Sequence, residues 1–245
     1  MSGHSKWANI KRRKAAVDAK KGALYTKLGR EIIAAAREGG GNPDANFRLR
    51  LAIERAKAAN MPSDNIQRAI MKGTGELQEG AALEEITYEG YGPGGMAVMV
   101  QVMTDNRNRA TQEVRYIFSR HGGSLGEAGC VAWMFKKKGS IIVPREGNPV
   151  SEDDLLMLAL DAGAEDVRTD EESFEVLTAP ADFQAVLEAL KKAKVNVAEA
   201  EVTMVPQNTV DLDGEQAEKA LALLEALEDC EDVQNVYASF EGAAG

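Results

Sequence analysis

The sequence predicts an α+β protein of three domains: an N-terminal helical bundle, then two α/β sandwich domains, the third ferredoxin-like (β-α-β-β-α-β) and inserted in the second. Three observations lead there. Apolar residues recur at helical spacing through the first 80 residues, and from Glu84 the period changes to two. The charge changes sign at the same place. Residues 1–80 hold 16 Lys+Arg against 8 Asp+Glu, a net of +8; the whole-chain totals of 29 and 39 leave 13 and 31 for residues 81–245, a net of −18.

In the first part, Leu24, Leu28, Ile32 and Ala35 recur as one helical stripe that stops at Gly39-Gly40-Gly41. A second helix is expected from Asn42 as N-cap and Pro43 as first helical residue, with Leu49, Ala52, Ile53 and Ala56 inward. A third starts at about Ser63, carries Ile66 and Ile70, and ends at Gly73. Paired strands follow at Glu85 to Glu89 and Met96 to Met103, joined by the turn Gly90-Tyr91-Gly92-Pro93-Gly94-Gly95. Ala110, Val114, Ile117 and Phe118 lie on one face of the next helix, which Gly122 closes.

Cys130 to Lys136 reads as a strand. Ser140 to Val143 then begins a β-α-β-β-α-β run: a helix at Ser151 to Asp161 opened by a Ser151/Asp154 capping box, short strands near Asp166 and Phe174, a helix after Pro180 with Phe183, Val186, Leu187 and Leu190 inward, and a strand through Val197 to Val205. That run satisfies a ferredoxin-like sheet by itself. The remaining strand, helix and strand at Thr209 to Leu212, Glu215 to Glu228 and Val233 to Phe240 then belong with the sheet begun at Glu84. The expected domains are 1–80, a discontinuous 81–137 with 206–245, and an inserted 138–205.

Several chemistries are argued against by spacing. Gly90 to Gly95 fits G-x-G-x-x-G, but a strand follows it where dinucleotide binding needs a helix. Gly122-Gly123-Ser124-Leu125-Gly126 fits G-x-S-x-G with the order of helix and strand reversed. Two His and two Cys at positions 4, 121, 130 and 230 lack metal-ligand spacing, and the chain has no Gly-Lys pair for a P-loop. Acidic pairs such as Asp153-Asp154 and Glu171-Glu172 read as solvated faces. No catalytic residue, metal or cofactor is assigned. The two cysteines do not suggest a disulfide scaffold, and the longest apolar stretch, at Met96 to Met103, is far too short to span a bilayer. The segment MSGHSKWANIKRRKAA lacks the apolar core of a secretory signal and is read as part of a mature cytoplasmic protein with no membrane partner, expected as a monomer.

What remains is the basic run. Lys6, Lys11, Arg12, Arg13, Lys14, Lys20, Lys21, Lys27, Arg30 and Arg37 are opposed only by Asp18 and Glu31, so the first 37 residues carry +8. Neutralising phosphate is the natural use of such a run. Trp7, between Lys6 and Lys11 and beside Asn9, either stacks on an unpaired base or packs on the bundle as a staple. Extended, Ser2 to Lys14 would reach about 40 Å, into a groove or RNA cavity. Asp105-Asn106-Arg107-Asn108-Arg109, opening a helix, is a second candidate phosphate site; the alternative is that Asn106 caps and Arg107 and Arg109 are merely solvated.

Gly3-His4-Ser5-Lys6-Trp7-Ala8-Asn9-Ile10-Lys11, Gly39 to Pro43, Met61-Pro62-Ser63-Asp64-Asn65-Ile66, Tyr88 to Gly95 and Thr104 to Arg109 closely resemble the YebC family across essentially the whole chain, with Ala110 standing where relatives often carry Thr. The resemblance implies the same three-domain architecture and a non-enzymatic regulator of gene expression. It acts either as a DNA-binding transcriptional regulator or, like the similar mitochondrial translational activator of cytochrome c oxidase, as a translation factor working with the ribosome. The expected partner is therefore DNA or ribosomal RNA, bound through His4, Lys6, Trp7, Asn9, Lys11, Arg12, Arg13, Lys14, Lys20, Lys21, Lys27, Arg30, Arg107, Asn108 and Arg109. The rival expectation is a protein-interaction scaffold, or an enzyme with its site between the α/β domains.

Overall fold

The structure, a computed structural model, describes residues 21–77, 83–148 and 150–242. Three helices form the N-terminal bundle: α1 (Lys21–Gly39), α2 (Phe47–Ala58) and α3 (Ser63–Thr74). Ile32, Ala35, Ala36, Leu49, Ala52, Ala56, Ile66 and Ala69 make its core, small residues letting the helices approach closely. The second helix starts later than expected. Its N-cap is Asn46, whose Oδ1 accepts from Leu49 N at 3.0 Å while Nδ2 donates to the Ala35 and Gly40 carbonyls at 2.8 and 2.9 Å. Asn42 instead closes a local turn by accepting from Asp44 N. The third helix runs past Gly73 to a left-handed cap at Gly75.

The host α/β unit begins with β1 (Glu84–Tyr91) and β2 (Ala97–Thr104), antiparallel from Glu84↔Thr104 to Tyr91↔Ala97. Their connection is a turn ending in one 3₁₀ turn at Pro93–Gly95. Gly94 there has φ +66°, and a Cβ would lie 2.2 Å from Leu212 Cδ2, so the glycine serves packing and not a phosphate. Helix α4 (Arg107–Arg120) buries Ala110, Val114 and Phe118 against this sheet, and β3 (Ser124–Leu125) pairs with β1. The segment Cys130 to Met134 is not the expected strand. It is a loop closing in a 3₁₀ turn (Ala132–Met134), because the Glu89 carboxylate captures three of its neighbouring N–H groups.

One ten-residue strand, β4 (Phe135–Pro144), then crosses the expected seam at 137/138 without a break. It leads into α5 (Glu152–Asp161), β5 (Ala164–Thr169), β6 (Ser173–Thr178), α6 (Phe183–Lys192) and β7 (Glu199–Pro206). The sheet order β5-β6-β4-β7, antiparallel at every join, is the ferredoxin-like arrangement. Ser151 caps α5 by accepting from Asp154 N at 3.2 Å, and Phe183, Val186, Leu187 and Leu190 face inward as expected.

The chain returns to the host through β8 (Val210–Leu212), α7 (Gly214–Asp229), β9 (Val233–Ala238) and β10 (Phe240–Gly242). β9 joins the host sheet, order β3-β1-β2-β9. β8 does not, contrary to expectation; it pairs in parallel with β10. Buried Ser239 causes the division, since its N–H and Oγ bond Ala97 while its carbonyl turns to Val210 N at 2.8 Å. The bundle touches both α/β units: Phe47 and Leu51 of α2 pack on the core of the inserted unit, with Phe47 edge-on to Phe183 at 6.0 Å.

Candidate nucleic-acid interface

Nine of the residues expected to bind nucleic acid, His4, Lys6, Trp7, Asn9, Lys11, Arg12, Arg13, Lys14 and Lys20, lie outside the described residues. Lys21 opens α1, so the basic run leads directly into this helix. The remaining five divide into two groups.

Lys27 and Arg30 are directed into the protein, and Arg109, still half exposed, is paired with its carboxylates. Lys27 Nζ donates to the Glu228 carbonyl at the end of α7, and burial, the larger influence, outweighs the nearby acids and lowers its pKa. Arg30, its side chain only 12% exposed, donates to the Glu231 carbonyl at 2.6 Å and faces Asp232 Oδ1 at 3.1 Å. Arg109 Nη2 donates to Asp232 Oδ2 at 2.8 Å and to Asp105 Oδ1 at 3.1 Å, and the same Asp232 oxygen accepts from Thr104 Oγ1. Asp232 is thus a hub at which α1, the end of β2 and the first turn of α4 meet. For these three cations the immediate partners are carboxylates and helix-terminal carbonyls, an arrangement that orders domains.

Arg107 and Asn108 are exposed on the first turn of α4. Asn106 caps the helix, accepting from Arg109 N at 3.1 Å, as one half of the alternative for this segment expects, whereas Arg109 is paired with Asp232 and Asp105 and not merely solvated. Yet Arg107 has no ion-pair partner among the described residues, and it stands at the helix end whose dipole repels cations by about 0.3–1 kcal/mol. A local conflict of this kind points to a use. Following the 3.6-residue period from Asn108 brings Arg115 and Tyr116 onto the same solvent face, with Arg120 at its edge; Tyr116 is 62% exposed. The opening motif alone does not point to these three; the helical spacing 108, 115, 116 does. α4 holds four of the thirteen basic residues of 81–245 and a single acid, Glu113.

The arrangement can do simple chemistry. Guanidinium groups on a rigid helix neutralise phosphate oxygens, and an exposed phenol ring offers a face to a base. Through Asp232 this face is joined to α1, into which the basic N-terminal run leads. Among the described residues no group of three or more His, Cys, Asp and Glu could hold a metal ion, and no helix is long and apolar enough to cross a membrane.

Comparison with known proteins matches residues 5–76 to the family model "TACO1/YebC protein N-terminal domain" and residues 83–240 to "TACO1/YebC second and third domain". A "probable transcriptional regulatory protein" of Pelotomaculum thermopropionicum is 60% identical over 241 residues, covering 98% of this chain and 99% of its own. One of the same name from Dictyoglomus turgidum is 59% identical over 241 residues, covering 98% and 96%. The crystal structure of a conserved hypothetical protein from Aquifex aeolicus superimposes with a TM-score of 0.83 at 52% identity, covering 94% of this chain and 93% of that one.

Proposed function

This chain belongs to the TACO1/YebC family, and from that premise we propose that it is a non-enzymatic regulator of gene expression that binds nucleic acid through its basic N-terminal domain and the outer face of α4. The observation that carries the proposal is the Asp232 hub. It ties Arg30 of α1 and Arg109 of α4 to one carboxylate, so that two basic segments far apart in sequence belong to one joined framework. The acidic remainder of the chain, at −18 for residues 81–245, is repelled by a polyanion and would bias the protein to approach it basic end first within a Debye length of about 8–10 Å.

Relatives named as transcriptional regulators support control of transcription through DNA. Action with the ribosome fits the same residues, because cationic side chains on a helix and a basic N-terminal run suit irregular RNA as well as duplex DNA. Leu156, Met157 and Leu160, exposed on α5, favour a second reading as an interaction scaffold.

Crosslinking in cells, followed by sequencing of bound RNA and DNA, tests the proposal against a variant with Lys11, Arg12 and Arg13 changed to Glu. Discrete sites lost in the variant are expected: promoter DNA for a transcriptional regulator, ribosomal RNA for a translation factor. Recovery of neither, or equal recovery from both proteins, overturns nucleic-acid binding through the arm and leaves the scaffold.

A further inference from the structure

Trp133 is 68% exposed, the most exposed large hydrophobic residue among those described. Leaving an indole in water forgoes the burial that ordinarily places tryptophan inside or at an interface. Its polar edge does not account for the exposure, since Nε1 already donates to the Cys130 carbonyl at 3.0 Å. Tyr91 OH donates to the same carbonyl at 3.1 Å, and its side chain too is partly exposed. Two aromatic residues, from β1 and from the loop before β4, are therefore tethered to one backbone oxygen.

The platform is held rigidly. The Glu89 carboxylate accepts from Gly129 N, Val131 N and Ala132 N at 2.7, 2.8 and 2.6 Å, and the Glu89 carbonyl accepts from Gly126 N. On the other side Gln207, just after β7, donates its Nε2 to the Trp133 carbonyl at 2.8 Å and its N–H to that of Met134. Such bracing keeps a surface side chain in place before any ligand arrives.

Its electrostatic setting selects the ligand. Residues 126–139 contain Lys136, Lys137 and Lys138 against Glu127, and with the Glu89 carboxylate that the loop wraps the local charge is +1, within a region of −18. Lys138 is engaged by Glu165, whereas Lys136 and Lys137 are exposed immediately beyond the platform. Successive residues of a strand point to opposite faces, so one of these two ammonium groups can serve the side on which the ring lies, and an aromatic face with an exposed ammonium a few residues away matches a nucleotide: base on ring, phosphate on lysine.

We propose that Trp133, with Tyr91 tethered beside it and an exposed lysine of the following strand (Lys136 or Lys137) to meet the phosphate, is a stacking site for an unpaired base, a second contact outside the N-terminal domain and α4. It rests on the nucleic-acid reading above and adds that the bound strand is single-stranded where it crosses the seam between the two α/β units.

In full-length protein carrying Trp7→Phe, Trp133 is the one tryptophan left. A fluorescein-labelled oligoadenylate of roughly 16 nucleotides, within the site size of one binding fold, is titrated while its anisotropy and the Trp133 emission are both followed. Saturable quenching of Trp133 is expected in step with the anisotropy. Trp133→Ala should weaken binding about 5- to 150-fold, and Trp133→Phe, which keeps a ring, by much less. If the anisotropy reports binding while Trp133 emission stays constant and Trp133→Ala binds as tightly, the stacking site is wrong and the broader reading stands. If neither this protein nor the parent with Trp7 intact binds the oligonucleotide, the stacking site is wrong, and the broader reading is decided by the crosslinking above.

Discussion

Arg30 and Arg109 hold opposite oxygens of one carboxylate: Arg30 Nη2 lies 3.1 Å from Asp232 Oδ1, and Arg109 Nη2 lies 2.8 Å from Oδ2. Asp232 is 3% exposed, so its charge is supported almost wholly by these cations and Thr104. Asp232→Asn removes that charge and leaves the little-exposed Arg30 only the more distant and exposed Glu231 carboxylate, at 3.8 Å. A loss of about 3 kcal/mol is expected. Urea unfolding of the two proteins at neutral pH measures it, and a loss below about 1 kcal/mol would mean the hub is only a surface pair.

Glu89 makes stability depend on acid. Burial pushes its pKa up, but hydrogen bonds from Gly129, Val131 and Ala132 together outweigh burial and hold it below the ordinary carboxylate value. Because the folded pKa lies under the unfolded value of about 4.3, the stabilisation is fully present above that pH and is lost as pH falls through the lower folded value. Melting temperatures from pH 7 down to pH 3 should fall less steeply for Glu89→Gln than for the parent. Glu89→Ala, which strands three N–H groups, should cost about 3 kcal/mol at pH 7.

On α4, Arg107→Glu with Arg115→Glu changes two exposed side chains and leaves the hub intact. Thermal stability should stay within about 0.5 kcal/mol of the parent. Affinity for nucleic acid should fall, and the slope of log K against log salt should become shallower by about 1.8 on duplex DNA, or about 1.4 on a single strand, if each arginine neutralises one phosphate. An unchanged slope with unchanged affinity would remove α4 from the interface.

Arg55 joins the bundle to the inserted unit, with Nη1 3.2 Å from Glu31 Oε1 and Nη2 2.8 Å from Glu201 Oε2. Arg55→Ala leaves two carboxylates facing each other across α1 and β7. With the side chain about one-third exposed, a loss of about 2 kcal/mol is expected. Adding Glu201→Gln should recover part of it, and a double-mutant cycle that returns no coupling would contradict the bridge.

Periodicity made the bundle, the host helix α4 and the ferredoxin-like order readable, because each rests on local alternation or on a 3.6-residue stripe such as Ala110, Val114 and Phe118. Features decided by distant partners were not readable. Cys130 to Lys136 has the residues of a strand, yet its first half is bent around Glu89, some forty positions earlier. β8 reads in the sequence as a strand of the host sheet, but it pairs with β10 because the switch lies in buried Ser239. At the interface, composition marks Lys27, Arg30 and Arg109 as cations suited to phosphate. Only the packing of α1 and α4 against the end of α7 shows that carbonyls and Asp232 occupy them.

β4 and β7 leave and re-enter the host as neighbours, paired from Phe135↔Pro206 to Ile142↔Glu199. The inserted unit is therefore entered and left through two paired neighbours of its own sheet, and tension applied across their ends would meet the ladder one rung at a time. A zipper of this kind opens at low force, beginning at Phe135 and Pro206, whereas strands pulled in shear must give up all their rungs together. The Gln207 bonds to Trp133 and Met134 sit just outside the first rung and act as its clasp.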